Sequence, residues 1–578
     1  MEVKLAKTAG FCMGVKKAVD TVLDVARHRG RERVFTYGPI IHNPQTVELL
    51  QTRGVVPVDT IDKIDDGIVV IRAHGISPAE REELENKNIK IFDATCPRVA
   101  RVHSIITNQV ALGHNIIIVG DREHPEVTGL MGYAGDKGVV VTDREDVCKL
   151  PQYEKVSVVA QTTKNMEEYQ EILDVIRKKF PVVEIFNTIC RSTGKRQTEI
   201  RQLTSEVDGM IIVGGKNSAN TRRLADISRE QGTPTYHIET VDELNSIDLC
   251  KYDKIGVSAG ASTPNWITDG VVDYLLNYKD GKKARKLSGF YNLWIFMVRT
   301  DIYSAVGAGC LSMVGMLLQD ITINIQNIII AATYVYAMHT INRLQDSNFG
   351  RIRGSFRETA YIRHRRTYMT SAAVALIVSL SLAFIEGIVP SLLLWLMSLL
   401  GIFYNIKILP SRWRLKRLVD IPGSKNVFTA TAWAFVAVLM PQLAISLEIT
   451  PGTIVTFLFV FNIVFAKSAL SDMMDIQSDR LVGRETIPVV IGEKNTRRLL
   501  QGVSIVTGIV LVVAFLAGSV PSLSLVVLIS IFYIWICLGF YDRKARFSNI
   551  ALEGMLGTNN VIAGVIGLSW FVVERYWA

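Results

Sequence analysis

The chain has 578 residues, too many for one domain, with 64 Lys and Arg against 55 Asp and Glu and a net charge of +9. No helix-turn-helix, zinc-finger or RNA-binding signature accompanies that charge, so nucleic acid is not an expected partner. Seven cysteines, an odd number, do not suggest a disulfide framework, and no cleavable signal peptide is legible at the N-terminus.

Residues 1–280 read as a charge-rich α/β segment. A short strand runs from Val3 toward Cys12, and the pattern recurs in IKIFDATC, ending at Cys96, and VEIFNTIC, ending at Cys190. A helical stretch opens after each cysteine, near Met13, Arg98 and Arg191. An apolar strand with a polar end follows: His42 and Asn43 in the first repeat, His124 and Glu126 in the second, Asn217, Ser218 and Asn220 in the third. After another helix comes a further strand, tipped by His74, by Thr162 and Thr163, or by Ser262 and Thr263. Val and Ile runs alternating with helical patterns predict parallel strands buried on both faces. Chemistry in such sheets gathers at the carboxyl ends of the strands, where every one of these polar residues falls. The expectation is three similar doubly wound units facing one central cavity. Three thiolates from equivalent positions can hold an iron–sulfur cluster and leave one iron open to substrate. Cys148 and Cys250 lie in ordinary polar segments, and Cys310 and Cys537 lie inside apolar ones, so these four read as structural thiols.

Composition changes beyond the basic stretch KDGKKARK at 279–286. Nine apolar spans follow, centred near Ala308, Ile330, Ala375, Trp395, Val436, Phe459, Leu511, Leu528 and Ile562. Each is near the roughly 20 residues needed to cross a bilayer. The loops 343–366, 406–425, 472–498 and 542–546 carry nearly all the Lys and Arg of this half. The positive-inside tendency then places those loops and the α/β half in the cytoplasm, making the chain a multi-pass protein of the inner membrane. The expected domains are 1–280, a basic linker at 281–289 and a membrane bundle at 290–578.

With these residues in view, the first half resembles the IspH/LytB family of hydroxymethylbutenyl diphosphate reductases. AGFCMGV, GPIIHNP, RAHG, DATCP, HPE, QTT, KNSAN and AGASTP occur in order. The resemblance implies reductive removal of a hydroxyl from an allylic diphosphate, giving isopentenyl and dimethylallyl diphosphate. It also implies one 4Fe–4S cluster on Cys12, Cys96 and Cys190, and Glu126 supplying or relaying a proton with Thr162 close by. His42, His74, His124, Ser218, Asn220 and Ser262 would bind the diphosphate. Ala219, where many relatives offer a hydroxyl, contributes only its backbone N–H. No flavin or nicotinamide fingerprint is present, so a ferredoxin or flavodoxin is the implied electron donor. Two rivals are a cluster-bearing dehydratase and an electron-transfer domain. The histidine-rich set disfavours the first and the lack of a fourth equivalent thiol disfavours the second.

Residues 290–578 resemble the UbiA family of membrane prenyltransferases, a bundle of about nine helices with two aspartate-rich motifs. In SDMMDIQSDRLVGRETIPVVIG, Asp472, Asp475 and Asp479 are spaced i, i+3, i+7, expected on one helix face where Mg²⁺ would bridge them to a diphosphate. Tyr404, Lys416 and Lys425 are candidates to contact diphosphate or acceptor. The first motif is NRLQDSNFG: Asn342 and Asp346 survive, while Arg343 and Gly350 stand where the family has acids. Arg343 there offers a guanidinium directly to phosphate. Two readings follow, an active prenyltransferase with an altered metal site and an unknown acceptor, or a relic fold serving as a membrane anchor or as a receiver for the product of the first half.

Overall fold

The computed structural model describes the chain except residues 31, 42, 88, 279–288, 354–360, 362, 405–417, 419–420, 483, 542–548 and 578. Side chains are also left aside at 277, 291–292, 346–353, 481–482, 549 and 576–577. Two units result, Met1–Leu276 and Asn277–Ala578.

The first unit holds β1 (Glu2–Leu5), β2 (Val34–Tyr37), β3 (Val55–Val58), β4 (Ile68–Ile71), β5 (Lys90–Asp93) and β6 (Asn115–Val119). It continues with β7 (Gly138–Val141), β8 (Lys155–Ala160), β9 (Val182–Ile185), β10 (Gly209–Val213), β11 (Thr235–Ile238) and β12 (Lys254–Ala259). They form three four-stranded sheets of one design, β3-β2-β4-β5, β7-β6-β8-β9 and β11-β10-β12-β1. Every pairing is parallel. The third sheet takes its cysteine-bearing strand from far upstream, with Glu2 opposite Lys254.

The continuous apolar runs follow from burial on both sides. Ile117, Val119, Val156 and Val158 face a layer containing Tyr169, Ile172 and Ile176. Their neighbours Ile116, Ile118 and Val159 face the opposite layer with Val102, Ile106 and Leu130. Successive residues point to opposite faces, so a strand covered by helices twice must be apolar at every position. The sequence reading omits the outer strands β3, β7 and β11. Pro57 within β3 argues against a central strand, and the structure places it at a sheet edge, where a missing N–H is tolerated.

In the second unit each of the nine expected apolar centres falls within a helix. The helices are Ile302–Leu318, Ile325–Arg353, Arg365–Glu386, Ile388–Phe403, Ser424–Ile445, Pro451–Met474, Glu493–Leu516, Leu523–Tyr541 and Asn549–Trp577. Among the described residues six helices are long and apolar enough to span a bilayer, or seven counting the pair Leu293–Arg299 and Ile302–Leu318. Large apolar side chains project outward, Phe384 at 70% and Leu392 at 64% exposure, as a lipid-facing surface requires. Inside, glycines let helices approach: a Cβ on Gly315 would lie 2.6 Å from the Ala437 carbonyl oxygen.

The Leu293–Arg299 pair member meets its partner at 87°, and Asp301 at the bend has φ 60°, a left-handed conformation that Asp tolerates better than most residues. Its carboxylate accepts bonds from Arg343 Nε at 3.0 Å and Nη2 at 3.2 Å and from the Tyr361 hydroxyl at 2.7 Å. The Arg343 guanidinium also lies 5.5 Å from the Tyr361 ring centre. Arg343 is therefore committed to Asp301, and the expectation of a guanidinium offered to phosphate is corrected on that ground. Asp301 is 2% exposed in its side chain, so removing its cation strands a buried charge. Arg343→Met should destabilise the bundle by about 3 kcal/mol, and adding Asp301→Asn should recover most of that loss in thermal unfolding of the detergent-solubilised chain.

Candidate active site

Each of the three cysteines leaves an edge strand and caps a helix: Cys12 caps Met13–His28, Cys96 caps Pro97–Ala111 and Cys190 caps Arg191–Thr204. The backbone N–H of each is tied to the strand beside it, two residues past that strand's end. Cys12 donates to Ala261 O at 3.1 Å, Cys96 to Ala73 O at 3.0 Å and Cys190 to Thr162 O at 2.9 Å. One hydrogen bond, repeated three times in the same register, sets each thiol at the positive end of a helix dipole, where a thiolate is favoured.

The sulfurs sense one another. Burial pushes the Cys96 thiol up, the backbone N–H groups of Arg98 and Val99 oppose this, and Cys12 and Cys190 add to the rise. Gly14 keeps the space between two of them open: a Cβ there would run into Cys96 Sγ and stand 3.9 Å from Cys12 Sγ. Among the described residues no three His, Cys, Asp or Glu side chains are grouped to chelate a single ion. A cubane binds its thiolates on different iron corners, so three separated, facing thiols suit it in kind.

A second set of helix starts follows β2, β6 and β10. Asn43 caps Pro44–Thr52, His124 caps Pro125–Ala134 and Ser218 caps Ala219–Glu230. Helix N-termini favour anions. Asn43 Oδ1 accepts from the Thr46 N–H at 2.9 Å and hydroxyl at 2.7 Å. Its Nδ2, like that of Asn220, is buried without a partner among the described residues. Two unsatisfied amide donors at such positions are what a bound anion would satisfy.

Glu126 lies in the first turn of its helix and is 2% exposed. Thr162 donates its N–H to Oε1 at 2.7 Å and its hydroxyl to Oε2 at 2.8 Å. Burial pushes the Glu126 carboxyl up, and the two Thr162 bonds oppose it. The Glu126 N–H donates to His124 Nδ1 at 3.1 Å, and the His124 and His74 rings meet edge to face at 5.4 Å. Carboxyl, paired imidazoles and helix starts thus draw together residues 74, 124, 126 and 162. Ser262, on the loop after β12, is buried at 8% exposure, and Ala219 opens the helix that Ser218 caps. His42 lies outside the described residues. The sequence reading misses Arg72, whose guanidinium lies 5.5 Å from the Tyr37 ring centre, and Arg196. The latter sits in RSTGKRQ, a polar stretch that reads as a solvated helix face, yet it is 3% exposed.

In the second unit the expected single acidic face is interrupted. Pro451–Met474 ends at Asp475, and a new helix runs from Ile476 to Val482, carrying Asp479. The helix breaks before the third acid, so the i, i+3, i+7 face is not continuous. Asp472 accepts from Lys425 Nζ at 2.6 Å and Asn426 Nδ2 at 2.8 Å, and Asp479 lies 4.0 Å from Arg484 Nη1. Lys425 is thus engaged with Asp472. Tyr404 shares a hydrogen bond of 2.7 Å with the Ser424 hydroxyl. Asn342 lies on Ile325–Arg353, while the side chain of Asp346 and all of Lys416 fall outside the described residues.

The chain is therefore a two-part protein, an α/β unit with a convergent thiol site and an apolar helical bundle. The LytB protein family matches residues 3–276 and the UbiA prenyltransferase family matches residues 306–555. A 4-hydroxy-3-methylbut-2-enyl diphosphate reductase of Geotalea uraniireducens (strain Rf4) is 42% identical over 275 residues, covering 48% of this chain and 97% of that protein. The chain belongs to the LytB reductase family through its first half and carries a UbiA-family domain in its second. Among solved structures, (E)-4-hydroxy-3-methyl-but-2-enyl diphosphate reductase, the terminal enzyme of the non-mevalonate pathway, is 42% identical, with a TM-score of 0.40 over 48% of this chain and 100% of that one. A UbiA homolog from Archaeoglobus fulgidus bound to DMAPP and Mg²⁺ is 17% identical, with a TM-score of 0.36 over 48% of this chain and 98% of that one.

Because the gap at Gly14 separates two thiols, Gly14→Ala should cut the iron and sulfide content of anaerobically purified protein severalfold while the circular dichroism stays that of wild type. A full iron complement in that variant would show that Cys12 and Cys96 do not share a cofactor across the gap.

Proposed function

We propose that the first unit removes the hydroxyl of 4-hydroxy-3-methylbut-2-enyl diphosphate, forming isopentenyl and dimethylallyl diphosphate. Two electrons and two protons enter, the C–O bond breaks, water leaves and a C–H bond forms. Cys12, Cys96 and Cys190 would hold a 4Fe–4S cluster. When bound, it supplies the electrons and a Lewis-acidic iron not claimed by a protein thiolate. The observation that carries the reading is the buried Glu126 carboxyl, gripped by Thr162 and set beside the His74–His124 pair.

In this reading Glu126 holds the proton that makes hydroxide leave as water. Burial, which favours the neutral carboxylic acid, keeps that proton available at a higher pH than an exposed carboxyl would. His74 and His124, with His42, would offer imidazole N–H donors to the diphosphate. Ser218, Asn220, Ser262, Thr162 and the Ala219 N–H add neutral donors. The unpartnered Asn220 Nδ2 supports that assignment, and Asn43 Nδ2 joins it on the same ground. A ferredoxin or flavodoxin would deliver the electrons.

Glu126→Gln should leave the cluster spectrum intact and lower kcat by about 10²- to 10⁴-fold. Thr162→Val removes a hydrogen bond that holds the carboxyl down. The acid form is the active one, so activity is lost as pH rises through the Glu126 value, and this variant should move the alkaline limb of kcat to higher pH. An unmoved limb would assign that limb to another group.

For the second unit we propose Mg²⁺-dependent binding of a prenyl diphosphate at Asp475 and Asp479, with Asp472 as the third acid of the second motif and Asn342 and Asp346 as the surviving residues of the first. A second reading, a bundle that anchors the reductase in the membrane, is favoured by the internal pairing of Asp472 with Lys425 and of Arg343 with Asp301. The outward apolar surface supports contact with lipid. The basic loops support an inner-membrane location with the first unit on the cytoplasmic side. Long-chain prenyl diphosphates should bind the detergent-solubilised chain only with Mg²⁺, and Asp475→Asn should weaken binding at least tenfold. Binding indifferent to both would leave the anchor reading standing.

A further inference from the structure

Arg196 lies on the helix that Cys190 caps and is 3% exposed. Its guanidinium donates from Nη1 to the Ala259 carbonyl at 2.9 Å and from Nη2 to the Gly10 carbonyl at 2.6 Å. Nε has no partner among the described residues. Ala259 ends β12, and Gly10 lies two residues before Cys12. One side chain therefore links three parts of the thiol site: the Cys190 helix, the Cys12 loop and the strand whose extension receives the Cys12 N–H.

Two neutral carbonyls do not compensate a buried cation. The nearby acid Glu199 is occupied elsewhere, accepting from the N–H groups of Lys7 and Thr8 and from the Thr8 hydroxyl. Burial pulls Arg196 below the usual guanidinium value, and Cys12, Glu199 and Cys190, in that order, pull it back. Once deprotonated to hold iron, the Cys12 and Cys190 sulfurs are the other negative groups that act on it. Three thiolates leave an oxidised cluster site net negative, and an added electron makes it more so, which a nearby fixed cation eases.

We infer that Arg196 is the buried counter-charge of the cysteine site, a positioning residue that clamps the Cys12 loop and raises the reduction potential of the cluster assigned above. Arginine suits both tasks, because its planar fork reaches two carbonyls at once and stays charged when buried. The inference rests on the cluster reading and goes beyond it by giving this residue a redox role without contact to substrate.

The test is an EPR-monitored redox titration of the full chain, purified anaerobically in detergent, as wild type, Arg196→Gln and Arg196→Lys, with iron and sulfide measured in each. Gln keeps one donor and loses the charge, whereas Lys keeps the charge. The midpoint potential should fall in Arg196→Gln and stay near wild type in Arg196→Lys. Equal potentials in wild type and the Gln variant would overturn the inference. If the Gln variant folds without loading a cluster and the Lys variant loads one, charge is required and the inference stands. If both fold and neither loads, the twin carbonyl clamp alone matters and the charge role fails. Wild-type protein that holds no cluster after anaerobic reconstitution would instead overturn the cluster reading itself.

Discussion

A single backbone hydrogen bond, made three times, organises the α/β unit. The N–H of each cysteine reaches the carbonyl two residues beyond the end of the adjacent strand, fixing where the chain leaves the sheet and where the next helix starts. That start determines both the direction in which the thiol points and the electrostatics it experiences, because the first turn of a helix presents unpaired N–H groups. The second ring of helix starts, capped by Asn43, His124 and Ser218, is positioned by the neighbouring strands of the same sheets. Repetition of one local rule in three sheets of the same design thus sets two series of helix N-termini just past the carboxyl ends of the strands. Helix N-termini suit a substrate that carries a diphosphate.

Much of this was legible in the chain. Unbroken Val and Ile runs signalled strands covered twice, and the recurrence of a cysteine after each third strand signalled equivalent positions. The outer strands β3, β7 and β11 were hidden because edge strands are short and tolerate Pro57, Gly138 and polar residues. Glu126 and its neighbours stood in recognisable clusters, but the Thr162 grip is a contact across 36 residues, and no local pattern encodes it. Arg196 was hidden for the opposite reason. Its neighbours are polar, and only the tertiary packing of its helix against the Cys12 loop buries it. In the membrane half the apolar centres were plain and the break at Asp475 was not, because nothing at that point in the sequence is a helix breaker by composition.

The bundle manages its ionisable groups by internal compensation. Asp301 is matched by Arg343 and Tyr361, and Asp472 by Lys425 and Asn426. In a low-dielectric surrounding an acid without such partners is costly. The acids of a diphosphate site must therefore either carry resident cations or await a metal. Asp472 takes the first course, and the substitution of Arg343 into the first motif extends it to Asp301. In the proposed prenyl diphosphate site Asp472 is thus already neutralised, which shifts the burden of ligand charge onto the other carboxylates of the motifs.

The pairing of Glu2 with Lys254 has a temporal meaning. On the ribosome, strand β1 must wait for about 250 residues to emerge before its partner β12 exists, a long-range closure that is intrinsically late. The sheets bearing Cys96 and Cys190 need no such delay, since each is built from consecutive strands. The sheet that carries Cys12 is therefore the last of the three to close, shortly before the apolar spans leave the ribosome.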